Sequence, residues 1–109
     1  MQLLILVLNQ EECLDDVLSA FVELGITEAT IIDSAGMGEV LVHDVPIFAG
    51  LRHLLGGGGE RPYSKTIFAI IDDEKFTEAA MVIEEICGPF SESGGSILFT
   101  LPITEIRGR

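Results

Sequence analysis

The sequence predicts an α+β domain whose strands and helices follow the order β-α-β-β-α-β. Apolar residues make up 48% of the 109 residues, enough for a core without metal or disulfide bridges. Short apolar runs alternate with two segments of helical periodicity. The halves also repeat, because a shift of 63 residues superposes Asn9 on Asp72, Glu11 on Glu74 and Gly25 on Gly88.

The first half is predicted to form a strand, a helix and a second strand. Residues 3–8 are an unbroken apolar run, which suits a strand buried on both faces. Asn9 is expected to cap the following helix, with Glu12 in the capping-box position and Gly25 as the stop. Residues 28–33 have the composition of a short strand.

The second half repeats this plan. Residues 65–71 predict a strand, residues 74–87 a helix that Gly88 ends, and residues 96–101 the last strand. The order is that of the ferredoxin-like fold, a four-stranded antiparallel sheet with two helices on one face. We expect residues 1–109 to form one such domain.

The first and third predicted strands are apolar at nearly every position. Leu3, Ile5 and Val7 cannot face the helices together with Leu4, Leu6 and Leu8, because neighbouring side chains of a strand point to opposite faces. The face without helices therefore needs another partner, since large exposed apolar patches are rare in monomers. The sequence predicts self-association through the sheet.

The long connection between the halves, residues 36–64, is the candidate working part of the chain. Residues 47–55 predict a short helix, and the four glycines 56–59 predict a hinge. This helix would either bind a partner protein or pack onto its own oligomer. The candidate partner-binding residues are Phe48, Leu51, Arg52, Leu55 and Arg61.

Charge narrows the classes of ligand. A formal net charge of -12 repels phosphate backbones, which argues against a nucleic-acid partner. Yet five of the six cations lie in or beside the long connection or in the tail, outside the two longer predicted helices: Arg52, Arg61, Lys65, Arg107 and Arg109. They indicate either a local anion site or ordinary solvated charge. Backbone N–H groups of glycines 88, 94 and 95 would suit phosphate oxygens.

Several specific chemistries lack support in the sequence. Gly36-Met37-Gly38 begins like a dinucleotide fingerprint, but position 41 is Leu and the following segment has a strand-like pattern. The spacing of His43 and His53 does not suit a metal site. No nucleophile–base pair stands out, so we expect neither a catalytic nor a metal site and no enzyme.

Two further features of the sequence bear on the cellular compartment of the protein. Cys13 and Cys87 lie in predicted helices and are expected to be reduced thiols of a cytoplasmic protein. The apolar run at the start is too short for a signal peptide or a membrane span.

The chain resembles the PII-like signalling proteins, the superfamily of the nitrogen regulatory protein PII. The resemblance lies in the opening strand, the acidic helix that ends Glu23-Leu24-Gly25-Ile26, and the strand that enters Gly36-Met37-Gly38. It resumes from residue 65 and is most specific in the glycine-led final strand, residues 94–103, which includes Leu101-Pro102.

The resemblance implies a homotrimer without enzymatic activity or resident cofactor. Its effector, most often an adenine nucleotide, would bind in clefts between subunits, and loop 36–64 would engage a transporter or regulator. It implies that Gly36 and Gly38 border the cleft, that Gly94 and Gly95 belong to its phosphate-facing loop, and that Arg107 and Arg109 form the tail. With Met37 and Gly88 added, these are the candidate effector-binding residues. The chain lacks the family's phosphate loop with lysine and has Gly88-Pro89-Phe90 instead. Two alternatives stay open, a cyclic-dinucleotide receptor and a CutA-type divalent-ion tolerance protein.

Overall fold

The computed structural model describes residues 1–44, 47, 63–91 and 96–108. Its strands are β1 (Gln2–Leu8), β2 (Ala29–Ala35), β3 (Tyr63–Ile71) and β4 (Ile97–Pro102). Its α-helices are α1 (Leu14–Glu23), α2 (Met37–Asp44) and α3 (Lys75–Cys87). The antiparallel sheet and the two longer helices, α1 and α3, confirm the predicted α+β ferredoxin-like class.

The four strands form one antiparallel sheet in the order β2-β3-β1-β4. Strand β1 is central, so Val7 pairs with Thr66 on β3 and with Ile97 on β4. At the other end of β1, Gln2 pairs with Ile71 and Pro102. The ends of β1 and β2 and the beginnings of β3 and β4 therefore lie together at one end of the sheet, which we call the Val7 end.

The core lies between one face of the sheet and the helices α1 and α3. From the two central strands, Leu4, Leu6, Leu8, Ile67, Ala69 and Ile71 are buried, and from the helices Val17, Phe21, Ala79 and Ile83. Each large aliphatic or aromatic side chain buried here contributes about 1.5–3 kcal/mol relative to exposure. The strand alternation leaves Leu3, Ile5 and Val7 on the opposite face, which we call the open face.

The helix stops agree with the sequence, but the helix starts do not. Gly25 and Gly88 have φ values of +84° and +92°, the conformation that favours glycine after a helix. The predicted Asn9 cap is wrong in position, because a 3₁₀ turn (Glu11–Cys13) with Gln10 as its N-cap precedes α1. The extra turn moves the α-helix start to Leu14, and its N-cap Cys13 makes no side-chain capping bond.

The connection between β2 and β3 also differs from its predicted form. Residues 37–44 are helical rather than strand-like, and residues 63 and 64 belong to β3. The Val40 N–H donates to the Gly36 carbonyl oxygen at 3.0 Å, which closes the first turn of α2. A short apolar run does not distinguish helix from strand by periodicity. The dinucleotide fingerprint is therefore rejected only because position 41 is not glycine.

Several predicted features lie outside the described residues. They are the helix 47–55 apart from Ile47, the glycine run 56–59, and the candidate partner-binding residues Phe48, Leu51, Arg52, Leu55 and Arg61. Within the described ranges, no helix has the length and apolar character needed to cross a membrane.

Candidate functional site

A cavity of about 350 Å³ opens at the Val7 end of the sheet. All four strands contribute to it, either from within the strand or from the residue that follows. The residues that line it are Val7, Asn9, Ser34, Ala35, Gly36, Ser64, Thr66 and Ile97. The cavity thus lies where the two halves of the chain meet, directly before helix α2.

Strand register places the central lining residues on the open face. Val7 is paired with both Thr66 and Ile97, so these three side chains share one face of the sheet. Ser34 is paired with Ser64, two residues from Thr66 on the same face of β3. Small polar residues at every second strand position therefore form one wall of the cavity.

Three hydroxyl groups form a cluster in this wall. The Ser34 Oγ lies 2.8 Å from the Ser64 Oγ and 2.7 Å from the Thr66 Oγ1. In an alternative orientation, the Ser34 hydroxyl donates its single proton to the Ser64 carbonyl oxygen at 3.2 Å. Because each hydroxyl has one proton and two lone pairs, the cluster retains acceptor capacity for a ligand.

The cavity lining carries no charged side chain among the described residues. Val7, Ala35 and Ile97 supply apolar contact, whereas Asn9 and the three hydroxyls supply hydrogen-bonding groups. An apolar wall with a few convergent polar groups is the usual composition of a small-molecule site. The lining suits a neutral, flat group with hydrogen-bonding edges better than it suits a phosphate.

The cations of the described residues are paired with carboxylates instead of lining the cavity. Lys65 alternates with Ser64 and Thr66 along β3, and it forms an ion pair with Asp33 on the helix-bearing side of the sheet. The hydrogen bond to Asp33 raises the pKa of Lys65. Lys75 lies 3.9 Å from a Glu78 carboxylate oxygen, and Arg107 donates to Glu105 at 3.0 Å.

The predicted effector-binding residues are only partly brought together. Gly36 lines the cavity, and Met37 and Gly38 follow it in the first turn of α2. Gly88 ends α3 and is not part of the lining. Gly94, Gly95 and Arg109 lie outside the described residues.

Arg107 is separated from the cavity within one chain. Strand β4 begins with Ile97 at the cavity and ends with Pro102, which pairs with Gln2 at the opposite end of β1. Six strand residues span about 20 Å. The expected phosphate-binding tail therefore starts at the far end of its own sheet.

Sequence reasoning missed most of the cavity. The sequence places Val7 and Thr66 in predicted strands, Asn9 at a helix cap and Ser64 at the end of the predicted loop 36–64, whereas Ser34 lies between predicted elements. None of them has a predicted binding role. The Ser64-x-Thr66 spacing was a usable signal, because it places two hydroxyls on one face of a strand whose other residues are mostly apolar.

The described residues give no support to a metal site. No group of three or more His, Cys, Asp or Glu side chains within them is arranged to hold an ion. The side chain of His43 and the whole of His53 lie outside the described part of the chain.

Comparisons with known proteins establish the fold alone. No family model matches this chain, and no curated protein matches it. A similar solved structure is that of a functionally unknown protein from Pediococcus pentosaceus ATCC 25745, with a TM-score of 0.63. The match covers 99% of this chain and 96% of that chain at 15% sequence identity. At this identity the similarity concerns the backbone architecture and carries no statement about activity.

Proposed function

We propose that this protein is a non-enzymatic, PII-like regulator that binds a small effector at the Val7 end of the sheet and signals through connection 36–64. The cavity carries this proposal, because Ala35 and Gly36 line it and lead directly into α2. A ligand in the cavity would touch the residues from which the connection departs.

Such contact would be sufficient for signalling, and no chemical reaction would be needed. A ligand that binds one conformation of the connection more tightly shifts the population toward that conformation by the difference in affinity. The protein target, a transporter or regulator by resemblance, would then recognise that conformation. The residues proposed for this contact are Phe48, Leu51, Arg52, Leu55 and Arg61.

The proposed effector is an adenine nucleotide. The neutral, hydroxyl-lined wall suits the base or ribose, whereas the phosphates need positive charge or backbone N–H groups from elsewhere. Gly88, Gly94 and Gly95 are proposed to supply N–H groups. Arg107 and Arg109 would come from a neighbouring subunit, since the β4 direction takes Arg107 away from its own cavity.

The proposed assembly is a homotrimer in the cytoplasm. The open face carries apolar residues from all four strands: Leu3, Ile5, Val7, Ile32, Phe68, Ile70, Ile97, Phe99 and Leu101. Burying this face between copies would remove an exposed apolar surface and supply a second wall for each cavity.

The effector is tested by isothermal titration calorimetry of the purified full chain with ATP, ADP, AMP, cyclic-di-AMP and bicarbonate. Micromolar binding of an adenine mononucleotide supports the proposal. Binding of cyclic-di-AMP alone would assign the site to the cyclic-dinucleotide class instead. No heat and no retention in equilibrium dialysis at millimolar ligand would overturn the adenine-nucleotide effector.

A further inference from the structure

The two cysteines of the chain meet at the junction of the two longer helices. Helices α1 and α3 run antiparallel, so the turn that begins the first lies beside the end of the second. Cys13 is buried, and its Sγ is 3.9 Å from the Ile86 carbonyl oxygen. That oxygen is three covalent bonds from the Cα of Cys87.

The two thiols are also close to each other. After burial, the interaction with the Cys13 side chain is the largest cause that raises the pKa of Cys87. Both residues belong to the core cluster, Cys13 as a buried member and Cys87 packed against it. This juxtaposition was not apparent from the sequence, in which 73 residues lie between the two cysteines.

We propose that Cys13 and Cys87 form a reversible thiol-oxidation site, which closes into an intramolecular disulfide by exchange with a low-molecular-weight disulfide. This is independent of the effector proposed above. It needs only that both sulfur atoms reach disulfide geometry, and the 3.9 Å between the Cys13 Sγ and the carbonyl oxygen of the residue before Cys87 makes this a small movement.

The exchange proceeds in two balanced steps. The Cys87 thiol, half-buried and the more accessible, loses its proton and attacks one sulfur of the small disulfide. This forms a mixed disulfide and releases one small thiol, which takes up that proton. The Cys13 sulfur then loses its proton and attacks the Cys87 sulfur, and the second small thiol leaves with the proton. The protein pair is oxidised by two electrons, and the small disulfide is reduced to two thiols.

The surroundings of Cys87 slow the oxidation of the pair. Burial, and then the interaction with Cys13, raises the pKa of Cys87 to about 12, and the nearby Glu12 and Asp16 carboxylates act in the same direction. Because the thiolate is the attacking species, the exchange is slow at neutral pH. The site therefore responds to sustained oxidising conditions rather than to brief exposure.

The test equilibrates the full-length protein with graded ratios of oxidised to reduced glutathione. The mixture is then quenched in acid and treated with an alkylating agent under denaturing conditions. Intact mass spectrometry is expected to show a species lighter than the reduced protein by two hydrogen atoms and without alkyl groups. Peptide mapping is expected to link the segments that contain residues 13 and 87. Alkylation of both thiols at every ratio, or disulfides only between chains, would overturn the proposal.

Matched variants distinguish a cysteine pair that forms one disulfide from two cysteines that react independently. Cys13→Ala and Cys87→Ala should form only mixed disulfides, at an oxidant ratio roughly tenfold higher than closes the wild-type pair, since the second step is intramolecular. Similar ratios for the wild type and the variants would count against the pair.

Thermal unfolding of the wild-type chain gives a readout that does not depend on how the variants fold. The oxidised protein should melt about 10 °C or more above the reduced protein, because the bond closes a long loop. A disulfide that lowers the melting temperature, or forms only in denaturant, would show that the native fold does not accommodate it.

Discussion

The Ser34 Oγ on β2 and the Thr66 Oγ1 on β3 are 2.7 Å apart. Their hydrogen bond crosses from an edge strand to an inner strand on the open face, in the wall of the cavity. Side chains that are 32 positions apart are thereby fixed at the point where the chain leaves the sheet for α2.

Replacing Ser34 with Ala should weaken effector binding while leaving the fold intact. The change removes the central hydroxyl of the cluster and alters the orientation of the Ser64 and Thr66 hydroxyls. We expect the affinity for the proposed nucleotide to fall about 5- to 30-fold, which corresponds to the loss of one or two hydrogen bonds. Calorimetry measures it, with Ser19→Ala on the exposed side of α1 as the control. Equal affinities for both variants would place the effector elsewhere.

A charge on the open face should prevent self-association. Phe99 on β4 is 41% exposed in the single chain, and it pairs with Ile5 in the middle of the face. Phe99→Glu would bury an unpaired carboxylate in any interface formed there, which costs several kcal/mol. Light scattering is expected to give three times 11.8 kDa for the wild type and 11.8 kDa for the variant.

The matched control for that variant is Met81→Glu on α3. Met81 is 60% exposed, but it lies in the helix layer and not on the open face. It should leave the mass unchanged. A monomeric wild type at micromolar concentration, or dissociation by both variants, would refute assembly through the sheet.

Gly25 should be required for its backbone conformation alone. Its φ of +84° disfavours residues with a side chain, yet a Cβ at this position would meet nothing within 4 Å. Gly25→Ala is therefore expected to lower the free energy of unfolding by about 1–2 kcal/mol through backbone strain. Urea unfolding measures this loss. Gly25→Asn should lose less, because asparagine tolerates positive φ better. Equal losses would point to another cause.

The reactivity of Cys87 should continue to rise with pH above the pH range in which cysteine thiols usually titrate. Its pKa is raised from 9.0 to about 12, mainly by burial, so the thiolate fraction increases tenfold for each pH unit up to about 12. The alkylation rate of Cys13→Ala would not isolate this effect, since Cys13 is one of its causes. Mass spectrometry of the wild type after brief alkylation, with peptide mapping, follows Cys87 directly. A rate that levels off near pH 9 would contradict the shift.

The same shift has a consequence for stability. A thiol whose pKa is higher in the folded state than in the unfolded state favours folding while it is protonated in both. That contribution is present below pH 9.0 and is lost as the pH rises from 9.0 towards about 12.

Much of the fold was predictable because it depends on local pattern. The apolar runs, the helical periodicity and the glycine stops at residues 25 and 88 each report on a few neighbouring residues. Strand β1 has apolar residues on both of its faces, and this pattern also predicted an apolar sheet face that no helix covers. Val22 marks the limit of such patterns. Its spacing from Leu14 and Leu18 predicts that it lies on the apolar face of α1, but it is 62% exposed.

The candidate site was less predictable because it depends on register. Val7, Ser34, Thr66 and Ile97 meet only when four strands pair in one particular alignment. The proximity of Cys13 to the end of α3, where Cys87 lies, likewise follows from the antiparallel packing of two helices. None of these residues carries a local motif that names its partner.

The pairing of Ala35 with Tyr63 holds the two ends of the connection together whatever lies between them. The entropy of closing such a loop changes slowly with its length, by about 0.6 kcal/mol for each doubling. Insertions or deletions between these positions should therefore cost the domain little stability. Selection can therefore change the sequence and length of the segment after Gly36 while the sheet remains as it is.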